Sequence, residues 1–118
     1  MKAAVIYKSK SGYTKKYAEW ISEAIGAKLY QGAEVKPENL KEFDTLIFGG
    51  GLYASGINGI KAIKKSINLY PTKNIIVFTT GASPGRKEEI DSVIKKNFTD
   101  QEQGVTKFFY LRGGFDYS

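Results

Sequence analysis

The chain has 118 residues and contains neither cysteine nor histidine. Without cysteine there is no disulfide and no thiolate nucleophile; without histidine there is no imidazole-based triad; without either, the usual zinc sites are excluded. An enzyme built on this sequence needs a borrowed reactive group. There is no long apolar span and no basic-then-apolar leader, so neither membrane crossing nor export is indicated, and a cytoplasmic location is the expectation. Internal repeats, low-complexity tracts and linkers are absent too. With 3 prolines and ordinary apolar content, the composition describes one domain with a modest core. Lysine and arginine outnumber the acids 18 to 12, giving a net charge of +6 and a pI near 9.4. That balance favours acidic ligands or partners, although the lysines are scattered.

Apolar runs of strand length, rich in β-branched and aromatic residues, occupy residues 3–7, 27–30, 45–48, 74–79 and 107–111. Helical patterns lie between them. The first covers 14–25, with Tyr17, Ile21 and Ala24 or Ile25 on one stripe and Gly26 as its stop. A short helical turn follows Pro37. The next covers 58–69 and buries Ile60, Ile63 and Ile67, and the last covers 84–97, with Ser83 as N-cap, Pro84 at the first helical position, and Ile90, Val93 and Ile94 inward. Strict alternation predicts an α/β domain: a doubly wound five-stranded parallel sheet with right-handed crossovers. Residues 46–48 and 75–78 are apolar at successive positions, which predicts that both sheet faces are covered. After the fifth strand too few residues follow for a closing helix, so a truncated domain or a cover supplied by a partner is expected.

In open parallel sheets, ligands collect beyond the carboxyl ends of the strands, where connections diverge to opposite faces. Three loops qualify. The first, residues 9–14, places Ser9, Ser11 and Thr14 hydroxyls around Gly12 at a strand-to-helix junction. Free amides and the positive end of a helix dipole converge there, so an anion is the expected occupant. The second begins with Gly49, Gly50 and Gly51, placed in a loop just after the third strand. The third, residues 79–86, contains Thr80, Gly81, Ala82 and Ser83 ahead of the last helix.

These residues resemble the flavodoxin family: Val5-Ile6-Tyr7 followed by Ser9, Gly12, Thr14, Ala18 and Ile21 reproduces the order and spacing of its phosphate-loop signature. The resemblance implies the strand order 2-1-3-4-5 and a bound FMN. It implies that Ser9, Lys10, Ser11, Gly12, Tyr13 and Thr14 wrap the FMN phosphate with amides and hydroxyls, Lys10 adding a positive charge. Thr14 can serve instead, or as well, as a helix cap. The second loop, with Gly50, Gly51, Leu52, Tyr53 and Ala54, looks like the segment that meets the flavin ring and its N5 edge. A glycine backbone there, free to take positive φ, is expected to turn a carbonyl toward N5, while Tyr53 stacks on the ring or packs on its own helix. The third loop, with Thr80, Gly81, Ala82 and Ser83, corresponds to the segment flanking the other side of the ring, although a Ser-Pro helix start needs no ligand.

The family resemblance implies electron transfer by non-covalently held FMN, with a redox partner protein. The basic charge and the residues from Phe108 to Ser118 look more narrowly like flavodoxin-type protoporphyrinogen oxidases, which adds a porphyrinogen-like acidic substrate and peripheral contact with an anionic membrane as expected partners. A second copy of the chain is a further expected partner. Other readings fail on chemistry. A receiver domain needs acidic residues where Lys8 and Gly49 stand, and neither nucleotide-binding glycine spacing follows the first strand. A nucleic-acid module would use the net charge and the aromatics, but most aromatics fall in strands.

Overall fold

The computed structural model describes residues 2–8, 12–53, 56–81 and 87–112. Strand β1 (Ala3–Lys8) leads into helix α1 (Tyr13–Ile25), then β2 (Lys28–Gln31), β3 (Thr45–Tyr53), the two-residue β4 (Gly56–Ile57), α2 (Ile60–Leu69), β5 (Asn74–Gly81), α3 (Lys87–Asn97), α4 (Asp100–Gly104) and β6 (Thr106–Arg112). The sheet order is β2-β1-β3-β5-β6, all parallel, with β4 added antiparallel to β3. Leaving aside the short β4, this is the 2-1-3-4-5 order expected for five strands.

Strand periodicity divides the core into two layers. Val5, Ile47 and Phe78 point to one face, where α1 covers them with Ala18, Tyr17 and Ile21. Ala4, Leu46, Phe48, Ile75 and Val77 point to the other, under Ile63 and Ile67 of α2, Val93 and Ile94 of α3, and Phe98. The apolar runs are therefore continuous because both faces are covered. Ala24 and Ile25, offered for the inner stripe of α1, are exposed; the buried positions of that helix are Thr14, Ala18 and Ser22, one row over. Gly26 stops the helix as expected, at φ 69°, with its amide on the Ser22 carbonyl.

Two elements depart from the sequence expectation. Strand β3 does not end at Phe48 but continues through the glycines to Tyr53, so Gly49–Gly51 belong to a strand and not to a loop. The positive-φ glycines among the described residues are Gly12, Gly26 and Gly59, so the backbone freedom expected at Gly50 and Gly51 is not used. Close packing explains two of these glycines. A Cβ on Gly49 would clash with the Phe78 ring, 2.2 Å from its Cζ, and one on Gly50 would collide with the Asn58 carbonyl oxygen. The second departure is α4. Thr99 accepts a hydrogen bond from the Glu102 amide (3.1 Å), and the Glu102 carboxylate accepts one from the Thr99 amide (2.8 Å). This capping box satisfies two helix-end donors and makes a five-residue helix worth forming.

Candidate functional site

The carboxyl ends of β1, β3, β5 and β6 line up in register, with Lys8 opposite Gly50, Gly50 opposite Thr79 and Thr79 opposite Tyr110. At this edge α1 begins. Gly12 is its N-cap at φ 88°, a conformation that side-chain-bearing residues rarely adopt, and being a glycine it offers no side-chain cap. The first helical hydrogen bond runs from the Lys16 amide to the Gly12 carbonyl (3.1 Å). The amides of Tyr13, Thr14 and Lys15 therefore have no acceptor within the helix, and no acidic residue occupies the first turn.

Thr14 does not cap its own helix. Its hydroxyl lies 2.7 Å from that of Thr80, and both residues are buried. The pair ties the start of α1 to the end of β5, 66 positions away in sequence. Either oxygen can donate, so one hydroxyl proton of the pair is left for a further acceptor. Gly51 completes the group: a Cβ placed on it would lie 3.8 Å from Thr14 Oγ1 and 3.8 Å from Asn58 Nδ2, ordinary contact distances. Unlike Gly49 and Gly50, Gly51 has no neighbour among the described residues that a Cβ would strike.

Of the residues singled out in the sequence, the structure thus brings together Gly12, Tyr13, Thr14, Gly51 and Thr80. Gly50 faces the opposite side of β3, against Ile57 and Asn58. Leu52 packs with the core of the α2 and α3 face, its strand partner being Ile57. Gly81 lies beside the Tyr110 ring, whose Oη would be 2.7 Å from a Cβ there. Ser9, Lys10, Ser11, Ala54, Ala82 and Ser83, like the side chain of Tyr53, lie outside the described residues. Tyr110 is a site-edge residue that sequence reasoning missed. Only the β5–β6 register reveals that it covers Gly81.

Charge is distributed unevenly over the molecule. No aspartate or glutamate occurs between residues 1 and 18 or between 45 and 87, so β1, β3, β5 and the start of α1 carry no carboxylate, while Glu88 and Glu89 stand in the first turn of α3. Two acids, Glu42 and Asp44, stand at the opposite end of the sheet. There Glu42 pairs with Lys2 (2.9 Å), and Asp44 accepts from the Lys2 amide (3.0 Å) and the Thr45 hydroxyl (2.8 Å). The Lys2 ammonium holds the Glu42 carboxyl below its ordinary range, and the Lys2 amide and Thr45 hydroxyl do the same for Asp44. Among the described residues no group of three or more His, Cys, Asp or Glu could hold a metal ion, and no helix is long and apolar enough to cross a membrane.

A doubly wound parallel sheet in this strand order, with an amide-and-hydroxyl cradle where β1 turns into α1, defines a flavodoxin-like fold. Solved structures agree. A flavodoxin, WrbA-like protein from Agrobacterium tumefaciens superposes with a TM-score of 0.63 at 20% identity, over 90% of this chain and 74% of that one. The two-electron reduced flavodoxin of Megasphaera elsdenii gives 0.65 at 14% identity (93% and 84%), and oxidised flavodoxin 1 from Bacillus cereus gives 0.59 at 14% identity (95% and 84%). The flavodoxin domain profile matches residues 4–118, and the chain belongs to the flavodoxin domain family. Among curated proteins no sequence matches it.

Proposed function

We propose that the protein binds one FMN non-covalently at the carboxyl ends of β1, β3 and β5 and serves as an electron-transfer flavoprotein. The observation that carries this reading is the cradle at the start of α1: three helix-end amides, the buried Thr14–Thr80 hydroxyl pair and a first helical turn without an acidic residue. A doubly negative phosphate ester suits such a donor set, because amides and hydroxyls offer hydrogen bonds with no carboxylate to repel it. Gly51 fits the same assignment, since its missing Cβ leaves room beside Thr14 that packing among the described residues does not require.

The flavin, when bound, supplies one- or two-electron chemistry. The chain's own part is binding and positioning. The amides of Tyr13, Thr14 and Lys15 hold the phosphate, and the Thr14–Thr80 bond fixes the helix start against β5 so that those amides keep their direction. The strand ends present backbone to the ring. No side chain in the described site has the chemistry of an acid–base catalyst poised near neutral pH, which suits a protein that passes electrons to a redox partner. The narrower likeness to protoporphyrinogen oxidases rests on residues 108–118, of which 113–118 lie outside the described residues. The cradle supports FMN binding in either case.

The reading is tested by the absorbance spectrum of purified protein, recorded before and after adding FMN and desalting. Retained flavin at one per chain is the expected result. A Thr14→Val variant should weaken retention by about tenfold, since a hydrogen bond to a charged group contributes about 1.5–3 kcal/mol. Loss of all flavin from the unmodified protein would overturn the assignment.

A further inference from the structure

The crossover from β2 to β3, residues 32–44, is made by two short 3-10 turns, Gly32–Glu34 and Pro37–Asn39, with no α-helix. It is pinned at its far side by Tyr70, whose hydroxyl donates to the Pro37 carbonyl (2.8 Å), and by the Lys65–Glu38 pair (3.3 Å). Between this crossover and the first half of α2 lies a cavity of about 420 Å³, within the size range of small-molecule sites. Its walls are apolar: Val35, Leu40, Phe48, Ile57, Ile60 and Ile63.

Among the described residues two cations, Lys8 and Lys61, also line the cavity, and no aspartate or glutamate does. The Lys8 stem lies along Gly59, its Cβ and Cδ being 3.5 and 3.7 Å from where a Gly59 Cβ would stand. Among the described residues neither ammonium has a carboxylate partner. The nearby acids of the crossover are engaged elsewhere, Glu34 accepting from the Gln31 amide (2.6 Å) and Glu38 pairing with Lys65. An anion at the two lysines therefore gains charge partners without breaking an existing ion pair. An uncharged apolar molecule would gain only the walls.

We propose that this cavity binds a free small molecule with a compact apolar body and one anionic group, the body against Leu40, Phe48 and Ile57 and the anion at Lys8 and Lys61. The site is separate from the FMN cradle. Thr14, Gly51 and Thr80 face the α1 side of the sheet, whereas the cavity opens on the α2 side; Asn58 stands at the boundary, lining the cavity while its Nδ2 lies 3.8 Å from where a Gly51 Cβ would stand.

The test uses the whole protein and two fluorescent probes that share one aromatic body: anilinonaphthalene sulfonate and its neutral counterpart N-phenylnaphthylamine. The sulfonate is expected to bind more tightly than the neutral probe, with the advantage shrinking in high salt. Lys8→Gln and Lys61→Gln, both exposed positions, should each weaken the sulfonate by about threefold and leave the neutral probe unchanged. Ala62→Trp, an exposed position at the cavity rim, should weaken both probes. Equal affinity for the two probes, or no response to either lysine substitution, overturns the proposal. Displacement of the sulfonate by FMN also overturns it, because the cavity would then be part of the flavin site. Should the protein fail to retain FMN, the probe comparison and the lysine variants still decide.

Discussion

Three adjacent glycines in β3 have three different reasons for being glycine. Gly49 makes room for the Phe78 ring, Gly50 for the Asn58 carbonyl, and Gly51 for nothing among the described residues. Substituting each with alanine separates packing from binding. Gly50→Ala should destabilise the fold by about 1–3 kcal/mol, the usual cost of overpacking, because its obstacle is backbone and cannot swing aside. Gly51→Ala should leave stability within about 0.5 kcal/mol while lowering FMN retention. Urea unfolding and a desalting assay measure the two effects. Equal loss of stability in both variants would contradict the assignment of Gly51 to the ligand. Gly50 was named in the sequence as a ring-contacting loop residue. Its true constraint, the hairpin backbone on the other side of the sheet, could not be seen before the register of β3 and β4 was known.

At the level of elements, α4 hangs on Glu102. This carboxylate is buried, at 4% exposure, yet accepts from the Thr99 amide and Asn68 Nδ2 (2.7 Å) and pairs with Lys64 (3.2 Å). Burial pushes its pKa up, but the Thr99 and Asn68 hydrogen bonds and the Lys64 charge together outweigh that and hold it below its ordinary value of 4.5. A depressed folded-state pKa means stability that is present above the unfolded value and lost as pH falls through the folded one. The stability advantage of the native chain over Glu102→Gln should therefore be full at pH 7 and shrink below about pH 4.5. Urea midpoints of the two proteins at several pH values give the readout. A constant difference down to pH 2 would contradict the assignment. Thr99→Ala, which removes the other half of the capping box, should cost about 1 kcal/mol. The Thr-x-x-Glu spacing at 99–102 was available in the sequence as a helix-start signal. At five residues, though, the helix is too short to show any apolar period.

On the scale of the whole molecule, residues 1–18 and 45–87, which supply β1, β3, β5 and the start of α1, carry lysine and arginine but no acid, although Glu88 and Glu89 open α3 beyond β5. Together with a net charge of +6, this field favours added negative charge at the proposed flavin site. The midpoint potential of bound FMN should consequently be less negative than in acidic flavodoxins and should fall as ionic strength rises, since salt screens a field that favours the reduced, more anionic state. A potential that does not change between low and high salt would remove the electrostatic account. Redox titration at two salt concentrations is sufficient.

The layer plan was already legible in the order of residues. Runs such as residues 75–78 are apolar at successive positions only when both faces of a strand are covered, and their alternation with helical stripes leaves a parallel sheet as the consistent arrangement. The junction at Gly12–Thr14 was legible there too, because a glycine between a strand and an amphipathic helix is a local signal that needs no partner. Tertiary structure decided the rest. That Thr14 meets Thr80 and not its own helix end, that the glycine run extends β3 instead of leaving it, and that Tyr110 covers Gly81 all depend on which strands are neighbours and in what register. Such facts are non-local. A side chain's role is set by what the fold brings against it, and residues 66 positions apart share no sequence window in which that contact could be read.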